Sequence, residues 1–179
     1  MFSNEDILRR CHELVRELQA CFGDEPPCLV QVIQGARPFA RLIQGGLAGC
    51  LPVHEVRAKS YQGTQSTGEV AITMLDGLDR TVVDGCDVVL LEDIVDTGRT
   101  IAALREHFSK LGARSVRVVS MLSKPSRRVV EVEVEHIGFE IPDEFVIGFG
   151  MDLDGRYREL LDVVVYDADV ERAHTQVNA

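Results

Sequence analysis

The stretch Val88-Val89-Leu90-Leu91 constrains this chain more than any other. Four apolar residues in a row, with no polar alternation, read as a strand buried on both faces, and such strands belong to parallel sheets covered by helices. The next residues are Glu92-Asp93-Ile94-Val95-Asp96-Thr97-Gly98-Arg99-Thr100, after which a helical pattern begins. In open α/β sheets, ligands bind just beyond the carboxyl ends of the strands. Acids gathered there call for a positive partner, such as a metal ion or a ligand rich in hydrogen-bond donors. Small residues at a helix start offer free backbone N–H groups to an anion. The run therefore suits a phosphorylated sugar bound together with a divalent cation.

The rest of the chain fits that sheet. Ile7, Leu8, Cys11, Leu14, Val15 and Leu18 fall at helical spacing behind Ser3 or Asn4 as cap. Strands are expected at Leu29–Ile33, Pro52–Lys59, Cys86–Leu91, Ser115–Leu122, Phe145–Gly148 and Val163–Tyr166. Helices are expected after Gln34-Gly35-Ala36-Arg37-Pro38 and over Thr100–Leu111, the latter stopped by Gly112. Glu69–Asp84 reads as a return arm, and Val129–Glu135 as a charged, β-rich piece. Alternating helices and buried strands give an α/β fold, a doubly wound, mostly parallel sheet flanked by helices. Without repeats or linkers, residues 1–179 read as one domain.

Composition narrows the function. A formal net charge of −10 disfavours broad phosphate-backbone binding, so no nucleic-acid partner is expected. Cys11, Cys21, Cys28, Cys50 and Cys86 are scattered and lack CxxC spacing, which suits free thiols in a reducing cytoplasm. The acidic start Met1-Phe2-Ser3-Asn4-Glu5-Asp6 does not resemble a signal peptide, and no apolar stretch is long enough for a membrane span. No GxxxxGK[ST] appears, and Gly148 and Gly150 are followed by Leu153 where a dinucleotide fingerprint needs Gly.

The run Val88–Thr100 resembles the ribose-phosphate signature of the type I phosphoribosyltransferases. Arg57–Tyr61 with Gln65-Ser66-Thr67-Gly68 resembles the mobile loop of the hypoxanthine-guanine members, and Ser120–Lys124 their purine-contacting strand. Gly138–Gly148 and Asp152–Leu160 resemble their base pocket and C-terminal loop. The match runs in order from about Leu29 to Tyr166, and the resemblance adds a small hood built from both ends of the chain.

That resemblance implies transfer of 5-phosphoribosyl from phosphoribosyl pyrophosphate to N9 of hypoxanthine or guanine, with xanthine as a further candidate, and Mg²⁺ as cofactor. It assigns the ribose hydroxyls and Mg²⁺ to Glu92 and Asp93, and the 5′-phosphate to the Thr97, Gly98, Arg99 and Thr100 loop. A pair of solvated acids, or a plain helix cap by Thr97 or Thr100, is the simpler alternative for these residues taken alone. Asp96 is implied as the catalytic base that accepts the purine N7 proton, with electrostatic stabilisation as the competing role. Lys124 would donate to the purine O6, Phe145 would stack on the ring, and the Val146 backbone would read its edge. A strand-end lysine and a core phenylalanine are the plainer alternatives. Asp152 is implied as a second metal ligand near pyrophosphate and as a member of the purine site, Arg158 as a pyrophosphate clamp, and Ser60 and Tyr61 as the tip of a lid.

One departure stands out. Where the family usually has Leu-Lys-Gly-Gly, this chain has Ile33-Gln34-Gly35-Ala36. Gln34 and Gly35 still offer backbone to pyrophosphate, but the lysine charge is gone, with Arg37 as the nearby candidate to replace it. A non-proline cis peptide is expected between Ile33 and Gln34. Family members are commonly dimers or tetramers. The alternative from another class is a regulator of the same fold that senses phosphoribosyl pyrophosphate and binds nucleic acid. A phosphoribosyltransferase for a pyrimidine base is the third reading.

Overall fold

The structure is a computed structural model that describes residues 1–22, 25–47, 51–60 and 70–168. Its main sheet has six strands in the order β3-β2-β1-β4-β5-β6. They are β1 (Cys28–Val32), β2 (Val53–Ser60), β3 (Val70–Met74), β4 (Asp87–Val95), β5 (Ser115–Ser123) and β6 (His136–Glu140). Only β3 runs antiparallel, against β2. The other neighbours pair in parallel. The order reverses between β1 and β4, so the switch point lies beside the acidic run.

Val88, Val89, Leu90 and Leu91 are fully buried, as their unbroken apolar character requires. Each such side chain contributes about 1.5–3 kcal/mol by leaving water. Val89 and Leu91 face the layer formed with helix α1 (Asn4–Phe22) and helix α2 (Arg37–Gly46). Val88 and Leu90 face the layer formed with helix α4 (Arg99–Lys110), next to the short helix α3 (Arg80–Val83). Beyond Leu91 this alternation changes phase. Ile94 joins the layer of Val89 and Leu91, whereas Val95 joins that of Val88 and Leu90. The change falls at Glu92-Asp93, within β4.

A two-stranded sheet of β7 (Val146–Ile147) and β8 (Val164–Val165) forms the hood. Phe2 joins it through a bridge to Val163 and stacks on Phe139 with ring centroids 4.0 Å apart. Both ends of the chain thus build this element, as the resemblance implied.

Two expectations are corrected. Val129–Glu135 contains no strand; the strand is the next segment, β6. The alternating valines are explained differently: Val132 and Val134 pack onto the α4 layer, while Glu135 accepts from the Val118 backbone N–H and from Arg105, each at 2.7 Å. The return arm is also not a single piece, since β3 is followed by a turn and α3, which Asp79 caps by accepting from Thr81 N at 2.8 Å.

Candidate active site

The carboxyl end of β4 places Glu92 and Asp93 in a dry environment. Glu92 is 7% exposed, and its Oε2 is buried without a hydrogen-bond partner. Burial, reinforced by the adjacent Asp93 charge, pushes the Glu92 carboxyl well above the usual carboxylate range. Burial also raises Asp93, although the Glu92 hydrogen bond, the Ile94 N–H at 2.8 Å and the charge of Arg158 pull it back.

A turn from the next strand closes over this pair. The Ile33–Gln34 peptide is cis, as the resemblance implied, and Gly35 lies against Asp93. Gly150, at φ +96°, lies against the Gly35 carbonyl: a Cβ added to Gly150 would fall 2.0 Å from that oxygen. Gly150 in turn accepts from Arg158 Nη1, and Arg158 pairs with Asp152 at 2.5 Å. Asp93, Gly35, Gly150, Arg158 and Asp152 thus form one continuous chain of contacts between sheet and hood. Gln34 is exposed at this turn. The Arg37 guanidinium is engaged by Glu55 at 3.1 and 3.0 Å.

The loop after β4 is shaped for an anion. Gly98 is the N-cap of α4 at φ +83°, and no side chain caps the helix. Neither Thr97 nor Thr100 takes that role, which leaves the first-turn N–H groups and both hydroxyls for a ligand. A Cβ on Gly98 would fall 2.3 Å from the Val130 carbonyl oxygen, and the Thr97 carbonyl accepts from Val129 N and Val130 N at 3.0 Å each. The strap through Val130 therefore fixes the loop from outside. Arg99 is exposed at the helix start.

Beside the acids lies a cleft of about 250 Å³, lined by Asp93, Asp96, Lys124, Phe145, Val146 and Asp152 among others. Lys124 follows β5 and is only 8% exposed, with its backbone N–H donated to the Val95 carbonyl at 3.0 Å. It is not a surface lysine. Phe145 is 50% exposed and meets Tyr166 edge-on at 5.9 Å, so it is a wall of the cleft and not a core residue. Val146 is buried in β7. Ser60 ends β2, and Tyr61 lies outside the described residues.

The sequence reading missed Arg127 and Arg128. Arg127 ends the 3-10 turn Pro125–Arg127 and reaches Asp96 at 3.3 Å and Asp143 at 3.5 Å. Arg128 donates to the Val95 and Asp96 carbonyl oxygens. The only advance signal was two adjacent cations close behind Lys124, in a chain poor in positive charge.

The sequence profile of the phosphoribosyl transferase domain matches residues 2–154. A hypoxanthine-guanine phosphoribosyltransferase of Streptococcus thermophilus (strain CNRZ 1066) is 37% identical over 171 residues, 95% of this chain and 93% of its own. The chain belongs to the phosphoribosyltransferase family. Solved members share its shape. A hypoxanthine phosphoribosyltransferase from Staphylococcus aureus superposes with a TM-score of 0.87 at 32% identity, covering 95% of this chain and 91% of that one. A hypoxanthine-guanine phosphoribosyltransferase from Bacillus anthracis gives 0.86 at 28% identity, covering 93% and 97%.

The site of this phosphoribosyltransferase offers oxygen donors to a metal. Among the described residues no group of three His, Cys, Asp or Glu converges on one point. The orphaned Glu92 Oε2 and the neighbouring Asp93 carboxylate are two hard oxygen donors. That fits Mg²⁺, which keeps several waters and shares substrate oxygens instead of demanding a full protein cage.

Proposed function

We propose that this protein is a purine-salvage enzyme that moves the 5-phosphoribosyl group of phosphoribosyl pyrophosphate onto N9 of hypoxanthine or guanine and releases pyrophosphate. The observation that carries the reading is the continuity of one cleft, from Asp93 and Asp96 at the β4 end to Lys124, Phe145 and Val146. The sugar-phosphate and base ends of the reaction meet there.

The 5′-phosphate docks on the uncapped start of α4, using the Thr97–Thr100 backbone and hydroxyls. Glu92 and Asp93 face the ribose hydroxyls and would hold Mg²⁺, with Asp152 as a further ligand near the leaving group. When bound, the ion neutralises charge on the departing pyrophosphate. The backbone at Gln34-Gly35 and the Arg158 guanidinium contact pyrophosphate oxygens. Phe145 stacks on the purine, and the Val146 backbone reads its edge. Lys124 has donors only, so it accepts a 6-oxo purine and rejects the amino group of adenine. As the anomeric C–O bond breaks and the sugar gains positive character, Asp96 takes the N7 proton. Ser60 and Tyr61 are proposed to close over the reacting centre and exclude water.

Cys11, Cys21, Cys28 and Cys86 are free thiols, which supports a reducing cytoplasmic setting. No helix among the described residues is long and apolar enough to cross a membrane. Assembly as a homodimer or homotetramer belongs to the same proposal.

Incubation with Mg²⁺, phosphoribosyl pyrophosphate and each purine in turn is the direct test. Nucleotide should form with hypoxanthine and guanine and scarcely with adenine. Absence of turnover with every base, together with salt-sensitive binding of RNA or DNA, would replace the enzyme by the regulator.

A further inference from the structure

A second chemical constellation lies away from the cleft, where α1 packs on the edge strand β6. Glu17 and Cys21 are one turn apart on α1 and so share a face. Opposite them is His136, the first residue of β6. Its Nδ1 is 2.7 Å from Glu17 Oε2, and its Nε2 is 3.9 Å from Cys21 Sγ. The imidazole is 12% exposed, whereas the thiol is exposed to solvent. None of the three lines the cleft described above.

The imidazole is held firmly. Arg10 pairs with Glu17 and Glu13 at 2.9 Å each and donates to the Ile137 and Gly138 carbonyls at 2.8 and 3.1 Å. This ties α1 to β6 just beyond the histidine. Burial pulls the Glu17 carboxyl upward, but the hydrogen bonds from His136 and Arg10 outweigh it and keep Glu17 below the usual range. An ionised Glu17 takes the Nδ1 proton as its hydrogen bond, which turns Nε2 toward the sulfur. Among the described residues, Arg10, Glu13 and Glu17 of α1 supply charge beside the pair. From β5 comes Arg117, whose guanidinium lies 5.2 Å from the ring of Phe22, next to Cys21. An oriented base beside a thiol, with a carboxylate behind it, is the arrangement that activates cysteine.

We propose that Cys21, His136 and Glu17 form a reactive-thiol site that takes small disulfides. His136 Nε2 receives the Cys21 proton. The thiolate attacks one sulfur of the disulfide, a new S–S bond forms to Cys21, and the old S–S bond breaks. The departing thiolate leaves with the proton from His136, so one thiol is released for each one consumed. The neighbouring cysteines lack such a partner: burial pushes the Cys11 thiol up to about 12 and the Cys28 thiol up to about 11.

The test uses the native chain and the aromatic disulfide 5,5′-dithiobis(2-nitrobenzoic acid), with adducts mapped by mass spectrometry. The first adduct should form on Cys21, and Cys21→Ser should remove the fast phase while leaving phosphoribosyl transfer intact. His136→Asn should slow the fast phase at least about ten-fold near neutral pH, because the thiol loses the base that takes its proton. A first adduct on another cysteine, or a His136→Asn rate within two-fold of the parent, would overturn the site.

Discussion

Gly35 and Asp93 occupy adjoining space so tightly that a Cβ on the glycine would fall 1.6 Å from Asp93 Oδ2. The carboxylate has little freedom to yield, because its other oxygen accepts from Ile94 N at 2.8 Å. Gly35→Ala should therefore displace the acid proposed to hold the ribose. We expect a folded protein by circular dichroism whose kcat/KM for phosphoribosyl pyrophosphate falls by about 10²-fold, as misplacement by about 1 Å can cause. Kinetics within two-fold of the parent would show that the contact does not position the acid.

Asp96→Asn should lower kcat by about 10²–10⁴-fold and leave the KM for phosphoribosyl pyrophosphate near its starting value. The substitution also removes the ion pair to Arg127. Arg127→Ala is the control. If it reproduces the whole loss, Asp96 acts through that pair and not on the proton.

Lys124→Met keeps the buried stem but deletes the charge. A hydrogen bond to a charged group is worth about 1.5–3 kcal/mol, so hypoxanthine kcat/KM should drop about 10–100-fold. Adenine, which gains nothing from the ammonium, should change far less. Parallel losses for both bases would assign Lys124 a purely structural role.

At the opposite end of β4, hydrogen bonds from Arg114 at 2.7 Å and Ser115 at 2.6 Å hold the Asp87 carboxyl below its usual range. A carboxyl depressed by folding stabilises the native state above its unfolded pKa. That stabilisation disappears as pH falls through the lowered native value. Asp87→Asn should thus cost about 1–3 °C in Tm at neutral pH, with the gap closing below roughly pH 3. Thermal melts of both proteins between pH 2 and 7 would show it. A gap that stays constant with pH would refute the assignment.

What the sequence revealed follows from how far each signal is local. Val88–Leu91 was readable because a strand covered on both faces must be apolar throughout. The Thr97–Thr100 loop was readable because a glycine and two hydroxyls precede a helix. His136–Glu140 escaped because an edge strand of mixed residues carries no period; it is held instead by pairing to β5 and by Arg10. Val129–Glu135 misled because its alternating valines serve a strap across α4 and not a ladder. Contacts such as Arg127 with Asp96, or Gly150 against Gly35, join residues far apart in the chain and leave no trace in local spacing.

The bridge between Phe2 and Val163 has a consequence for how the protein is made. A chain leaves the ribosome amino end first, so Phe2 emerges long before its partner exists. The six-stranded sheet is complete at Glu140, and its local hydrophobic pairs can gather earlier. The hood that carries Phe145 and Val146 cannot close until residues near 163 are released. During synthesis the nascent chain therefore completes the sheet and the Thr97–Thr100 loop before the cleft wall of Phe145 and Val146 exists.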